Sequence, residues 1–297
     1  MEKQRILHFL TPLQNLSPFD VNMAIDTGFA VAGYTGVELK DIAGLTQDAM
    51  FSRAPEDAAK TVLFIGGRDA MMALDMAEAA RKAMFPPFEV SVFADPSGAF
   101  TTAAAMVAVA EKKLGEAGGR LQGAKVVVFG AKGVIGGVVG VIAAEVGAEV
   151  TLVGYDKTPV VAEKAAEFEK RFGKRFKVAD GSTEAGRRAA LAEVDVALVA
   201  ARAGVQVLSA EELKSARRLK VVADANAVPP AGVEGLAAKA DSVAVGQAAL
   251  GVGALAIGNV KFRLQRKLLR RLHEANKAEF IDFREAFAVA RELVAGA

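Results

Sequence analysis

Residues 124–156 constrain this chain more than any other stretch. They read Ala-Lys-Val-Val-Val-Phe, then Gly130-Ala131-Lys132-Gly133-Val134-Ile135-Gly136, then an apolar helical run, then Val150-Thr151-Leu152-Val153. A β-branched run, a glycine-rich turn, an amphipathic helix and a second β-branched run make a βαβ unit. The glycines allow a tight turn and let backbone approach a diphosphate, whose charge sits among the free N–H groups of the helix N-terminus. Against the usual G-x-G-x-x-G pattern, Ala131 stands at the first glycine and an extra glycine, Gly130, precedes it. The alternative is an ordinary glycine-rich strand–helix turn of an α/β protein. The strand before and the helix after favour the dinucleotide site, with Gly130, Ala131, Lys132, Gly133, Val134 and Ile135 facing the cofactor.

The rest of the chain repeats the alternation. Strands are expected at residues 6–10, 61–66, 90–94, 176–178, 195–200 and 220–223. Helices are expected at 19–27, with Ser17 as N-cap and Pro18 in the first turn, and at 69–85, 101–114, 160–172, 183–193 and 252–275. Asp282 should cap a last helix at 283–295. Residues 33–56 mix turn residues with short apolar runs and give no clear element. The pattern is α/β, a Rossmann-type doubly wound parallel sheet with an N-terminal α/β domain. Domain boundaries are expected at 1–115, 116–250 and 251–297, the last helices packing back on the first domain.

Composition removes whole classes of chemistry. The chain has no cysteine and two histidines, His8 and His273. Disulfides, thiolate metal sites, a cysteine nucleophile and a histidine-rich metal centre are therefore excluded, and no metal site is expected. A net charge of +2 gives no electrostatic case for nucleic acid or an anionic membrane. The N-terminal run lacks a signal pattern and no window reaches the length of a membrane span. A cytoplasmic location is the expectation.

In open parallel sheets ligands lie beyond the carboxyl ends of strands. The residues placed there are 11–20, Asp95 to Thr102, the glycine turn, Gly154-Tyr155-Asp156, the stretch from Ala200 and Ala201 to Gly204, and Asp224 to Pro230 with Asn226. Asp156 should accept hydrogen bonds from the ribose hydroxyls of NAD and repel the 2′-phosphate of NADP; a surface turn carboxylate is its other reading. Lys132 and Lys157 keep NADP open. Asp20 reads equally as a first-turn carboxylate favoured by the helix dipole, Asp95 as the start of an Asp-Pro turn, and Thr101-Thr102 as a helix start. Lys261 lies in a run of Gly and Ala, as a cleft cation or a solvated lysine.

Four segments together resemble one family. They are Leu-Ser17-Pro-Phe19-Asp20-Val, Asp95-Pro-Ser97-Gly-Ala-Phe-Thr101-Thr102, Asp224-Ala-Asn226-Ala-Val-Pro229-Pro230 and Gly253-Ala-Leu-Ala-Ile-Gly-Asn-Val-Lys261. The chain is similar, over essentially its whole length, to the methylene-tetrahydromethanopterin dehydrogenases of methylotrophic bacteria. It is closer to the branch using NAD or NADP, since the strictly NADP-dependent branch carries Gly-Arg where this chain has Gly154-Tyr155. The resemblance implies reversible hydride transfer between NAD(P) and the one-carbon bridge of a reduced pterin, with tetrahydromethanopterin or tetrahydrofolate as carrier. It implies a pterin cleft formed by Phe19, Asp20, Thr102 and Lys261, with Asp95, Ser97 and Thr101 beside them, and a homo-oligomer. Asp20, Thr102 and Lys261 would be the catalytic set. A competing class is a regulatory module that binds a nucleotide without turnover, which Ala131 in the motif would fit.

Overall fold

The computed structural model describes residues 3–155 and 158–296. In chain order the elements are β1 (Ile6–Leu10), α1 (Pro18–Thr27), β2 (Ala30–Tyr34), α2 (Ile42–Phe51), β3 (Thr61–Ile65), α3 (Ala70–Ala83), β4 (Ser91–Ala94) and α4 (Ala99–Glu116). There follow β5 (Lys125–Phe129), α5 (Val134–Glu145), β6 (Glu149–Gly154), α6 (Thr158–Phe172), β7 (Lys177–Asp180), α7 (Glu184–Leu191), β8 (Val196–Val199), α8 (Ala210–Ser215) and β9 (Val221–Asp224). The chain continues through β10 (Asp241–Val245), β11 (Ala249–Val252), α9 (Ala254–Glu274), β12 (Phe280–Ile281) and α10 (Phe283–Ala295).

The chain divides into two compact units, one of residues up to Thr101 together with Phe262–Val289, the other of Thr102–Lys261 and the segment from Ala290 on. The division falls inside α4, near its start, and not at residue 115. Alanine-rich α4 carries no break there, and the glycines at 115–123 form the turn into β5 instead.

The first unit holds a five-stranded sheet in the order β12-β4-β3-β1-β2, every pairing parallel. β3 and β4 are buried along their whole length, as expected of parallel strands covered on both faces. Ser17 caps α1, its Oγ accepting from Asp20 N at 3.3 Å, and Gly28 ends the helix at φ 107°. Glycine tolerates that left-handed backbone without steric cost.

The second unit holds a seven-stranded sheet in the order β10-β11-β9-β8-β5-β6-β7. All its pairings are parallel except β10 with β11. From the β7 edge to β11 this is the doubly wound order of dinucleotide-binding sheets, and it reverses direction between β5 and β8. The sheet core is Val127, Phe129, Val153, Val199 and Val222, covered on one side by Leu191, Leu208 and Leu213. Register matters most at the strand ends: Val153, Phe129, Val199 and Asp224 stand in one row. The residues that follow these strands therefore emerge along a single edge.

Candidate active site

The turn after β5 is shaped by close approach. Gly130 sits at φ 83°, and a Cβ there would lie 2.5 Å from the Ala200 carbonyl oxygen and 2.8 Å from Ala201 Cα. Gly133 N donates to Gly130 O at 2.9 Å, and Gly133 is the N-cap of α5 with no side-chain cap. Among the described residues the N–H groups of the first turn of α5 thus have no capping side chain. A Cβ on Gly136 would collide with the Gly130 carbonyl. Gly130, Gly133 and Gly136 thus serve the turn, the open cap and the strand–helix contact. Ala131, at the position of the first glycine of the usual pattern, is fully buried beneath the turn. Lys132 and Gly133 are exposed, Val134 and Ile135 half-buried, and Ala200 and Ala201 half-buried opposite them at the reversal point of the sheet. A cradle that any Cβ would fill and an uncapped helix start fit the diphosphate of a dinucleotide.

Two expected cofactor contacts have other work. Asn226 is 5% exposed. Its Oδ1 accepts from Gly204 N and Val228 N, and its Nδ2 donates to Pro230 O at 2.9 Å. Oδ1 thus ties the loop after β8 to the loop after β9, so Asn226 organises this edge, and its amide keeps a second N–H beside the one given to Pro230. Asp224 beside it accepts from Asn226 N and Val233 N, and burial pushes its carboxyl above the usual range against those bonds. Tyr155 turns its ring against the core. Its Oη is buried with no hydrogen-bond partner among the described residues, and desolvation drives the phenol well above its ordinary value. Asp156, the expected ribose contact, lies outside the described residues.

In the first unit Asp20 is 4% exposed although it sits in the first turn of a helix. Its Oδ1 accepts a 2.6 Å hydrogen bond from Nε2 of Gln265, a fully buried residue of α9. The dipole reading of Asp20 does not account for this, because a carboxylate serving a helix end alone stays in solvent. Phe19 is 45% exposed and edge-on to Phe262, with ring centroids 6.5 Å apart.

Asp95 and Thr101 are both fully buried. Asp95 Oδ1 accepts from Phe100 N and Thr101 N, and Oδ2 accepts from Thr101 Oγ1 at 2.6 Å. They close the start of α4 on each other, which corrects the expectation that they face substrate. Ser97 is exposed, at φ 52°, a left-handed backbone uncommon outside glycine. Its Oγ donates to Gly67 O at 2.6 Å, joining the loops after β3 and β4. Thr102 of α4 and Lys261 of α9 are half-buried and belong to the second unit.

A family model described as methylene-tetrahydromethanopterin dehydrogenase, N-terminal, matches residues 18–97. The NAD(P)-dependent methylenetetrahydromethanopterin dehydrogenase of Methylorubrum extorquens is 48% identical over 291 residues, covering 97% of this chain and 98% of that protein. This chain belongs to the methylene-tetrahydromethanopterin dehydrogenase family. A second protein of the same organism, the bifunctional protein MdtA, is 32% identical over 99% of this chain and 100% of its own. The solved shikimate 5-dehydrogenase of Listeria monocytogenes, in complex with shikimate and NAD, is similar at a TM-score of 0.52, with 13% identity and 96% of each chain covered. At that identity it speaks to the shared Rossmann-type fold alone.

Sequence reasoning missed Gln265, the partner of Asp20. Its signal was present: it falls one helical turn after Lys261 on α9, between buried Leu264 and buried Leu268. A glutamine inside an apolar stripe is a buried polar group that requires a partner. Among the described residues no group of three or more His, Cys, Asp or Glu is gathered to hold a metal ion, and no helix is long and apolar enough to cross a membrane.

Proposed function

We propose that this dehydrogenase converts methylene-tetrahydromethanopterin reversibly to methenyl-tetrahydromethanopterin with NAD(P), by direct hydride transfer from a CH–NH type donor. The observation that carries the reading is 48% identity sustained across both units with an NAD(P)-dependent enzyme named for that substrate. In this reading Gly130, Gly133, Val134 and Ile135 hold the diphosphate, with Ala200 and Ala201 supplying a flat wall. Asp156 takes the ribose of NAD, with NADP also admitted. Bound there, the nicotinamide supplies a two-electron hydride acceptor.

The chemistry asks little of acid–base residues. When hydride leaves the carbon between two nitrogens, the carbon becomes cationic and the nitrogen lone pairs share the charge. No proton is removed, so no general base is required. What the protein must do is orient the pterin and favour positive charge at one carbon. Phe19 gives the pterin an apolar wall, and the Asp20 carboxylate supplies the negative charge. Thr102 orients the ring by a hydrogen bond. Lys261 binds a polar edge or the anionic tail, because a cation beside the cationic product is unfavourable. The reaction is assigned to the cytoplasm and to a homo-oligomer.

The test is the initial rate of NAD(P)H formation with NAD and NADP, each against methylene-tetrahydromethanopterin and methylene-tetrahydrofolate. Turnover of the methanopterin carrier supports the reading. Preference for the folate keeps the chemistry and changes the carrier. No rate with any pair overturns it in favour of a nucleotide-binding module.

A further inference from the structure

We propose that Gln265 is a positioning residue that aims the Asp20 carboxylate at the pterin while leaving its charge uncancelled. The inference rests on the role given to Asp20 above.

Two residues 245 positions apart meet within the first unit, and the donor Nε2 lies 2.6 Å from Oδ1. That is a short, direct amide-to-carboxyl hydrogen bond. Asp20 is held at a second point, where its backbone N–H donates to Ser17 Oγ. The cap fixes the main chain and the amide fixes one oxygen. Among the described residues no hydrogen bond reaches Oδ2 and no salt bridge reaches Asp20. Gln265 in turn has little freedom: it is fully buried beside Leu264 and Leu268, which are fully buried too.

The chemical identity of the partner is the informative part. A buried carboxylate is ordinarily matched by a cation, because an unpaired charge is costly away from water. Here a neutral amide does the holding. An arginine or lysine at 265 would direct the carboxylate equally well but would neutralise it. The amide gives direction and leaves the negative charge whole. That combination suits a site where positive charge develops on the substrate carbon as hydride departs, since fixed opposite charge helps most where charge appears. Gln265 touches neither substrate nor cofactor in this scheme and acts only through Asp20.

The test is a double-mutant cycle on Gln265→Met and Asp20→Ala in the full-length enzyme, read in kcat, KM for the pterin, dissociation constant for NAD(P) and Tm. Methionine keeps the volume and removes the donor; Gln265→Asn, which withdraws the amide by one methylene, replaces it if the methionine variant does not fold. Gln265→Met is expected to lower kcat by roughly 10- to 100-fold, the usual effect of misaiming a reacting group, with NAD(P) binding unchanged. In the Asp20→Ala background the same substitution should change kcat by less than about two-fold, because groups acting as a unit are not additive. A residue that merely supports the fold would lower kcat by the same factor in both backgrounds. That outcome, or wild-type kcat in Gln265→Met, overturns the inference while the proposed reaction stands. Wild-type kcat in Asp20→Ala removes the role of Asp20 and this inference with it. A wild-type enzyme with no turnover sinks the reaction itself.

Discussion

Gly130 and Gly173 both carry left-handed backbone, at φ 83° and φ 65°, yet they differ in what surrounds them. A Cβ on Gly173 meets nothing within 4 Å, whereas one on Gly130 meets the Ala200 carbonyl at 2.5 Å and Ala201 Cα at 2.8 Å. Substituting alanine at each separates backbone strain from close approach. At Gly173 only the strain applies, about 1–2 kcal/mol, which lowers Tm by roughly 2–8 °C in a chain of this size. Kinetics there should not change. At Gly130 the same strain is joined by a clash. Relief requires the exit of β8 to retreat by about 0.5–1 Å, since non-bonded carbon sits comfortably only near 3.5 Å. That movement pulls on the 2.9 Å bond from Ala200 N to Phe129 O and displaces one wall of the proposed cofactor cradle. A misplacement of about 1 Å costs on the order of 100-fold in rate. Gly130→Ala should therefore lose about 100-fold in kcat/KM for NAD(P), and more Tm than Gly173→Ala. Scanning calorimetry and initial rates on the two variants decide it. Equal Tm losses with wild-type kcat/KM in both would refute the assignment of the β5 turn as the cofactor's seat.

Tyr155→Phe removes a buried hydroxyl that has no partner among the described residues, so it should leave NAD(P) affinity unchanged and raise stability by up to about 1 kcal/mol, read as a higher Tm. A loss of stability would show that the hydroxyl is satisfied. Arg187→Met leaves Glu212, whose side chain is 1% exposed, without its 2.7 Å cationic partner. Since Ser209 N still donates to the second carboxylate oxygen, the cost should fall near the lower end for a broken buried pair, about 3 kcal/mol by urea titration; under 1 kcal/mol would contradict it. His8 is held below its ordinary value of 6.5 by burial and then by the Arg53 charge. The folded chain thus binds fewer protons than the unfolded one, and the stability His8 contributes is present above pH 6.5 and lost as pH falls through the folded value. His8→Gln should flatten the fall in Tm below pH 6.5, and an unchanged slope would rule His8 out as its source.

What could be read from the sequence follows burial. Strands with continuous apolar centres, such as β3, β5 and β9, were legible because both faces are covered. Of the edge strands only β7 was, expected at 176–178 and found at Lys177–Asp180. β2 is partly exposed along its length and β10 almost wholly so, so neither leaves an apolar run, and β12 has only two residues. Helix α2 was hidden by Gly44 and by a buried threonine, Thr46, whose hydroxyl bonds back to Ile42 O. Helix α8 did announce itself, through Ser209 and Glu212 in a capping box, a signal that sequence reasoning passed over. At the site, the glycine turn was legible because local geometry dictates it. The Asp20–Gln265 pair was not, because it joins the two ends of the chain. Asn226, Asp95 and Thr101 were placed correctly at strand ends, but only their bonds reveal that they brace loops.

The pairing of β12 with β4 sets a schedule for synthesis. A ribosome releases β4 long before residues 280–281, and until those emerge one margin of the first sheet stays raw, with unpaired peptide groups beside Val92 and Phe93, both all but fully buried in the finished chain. Open margins of this kind invite pairing with other nascent chains. Gln265 is also late to arrive, so Asp20 waits without its donor over the same interval. A product cut short in its last tenth would carry every residue of the glycine turn and still be prone to clump.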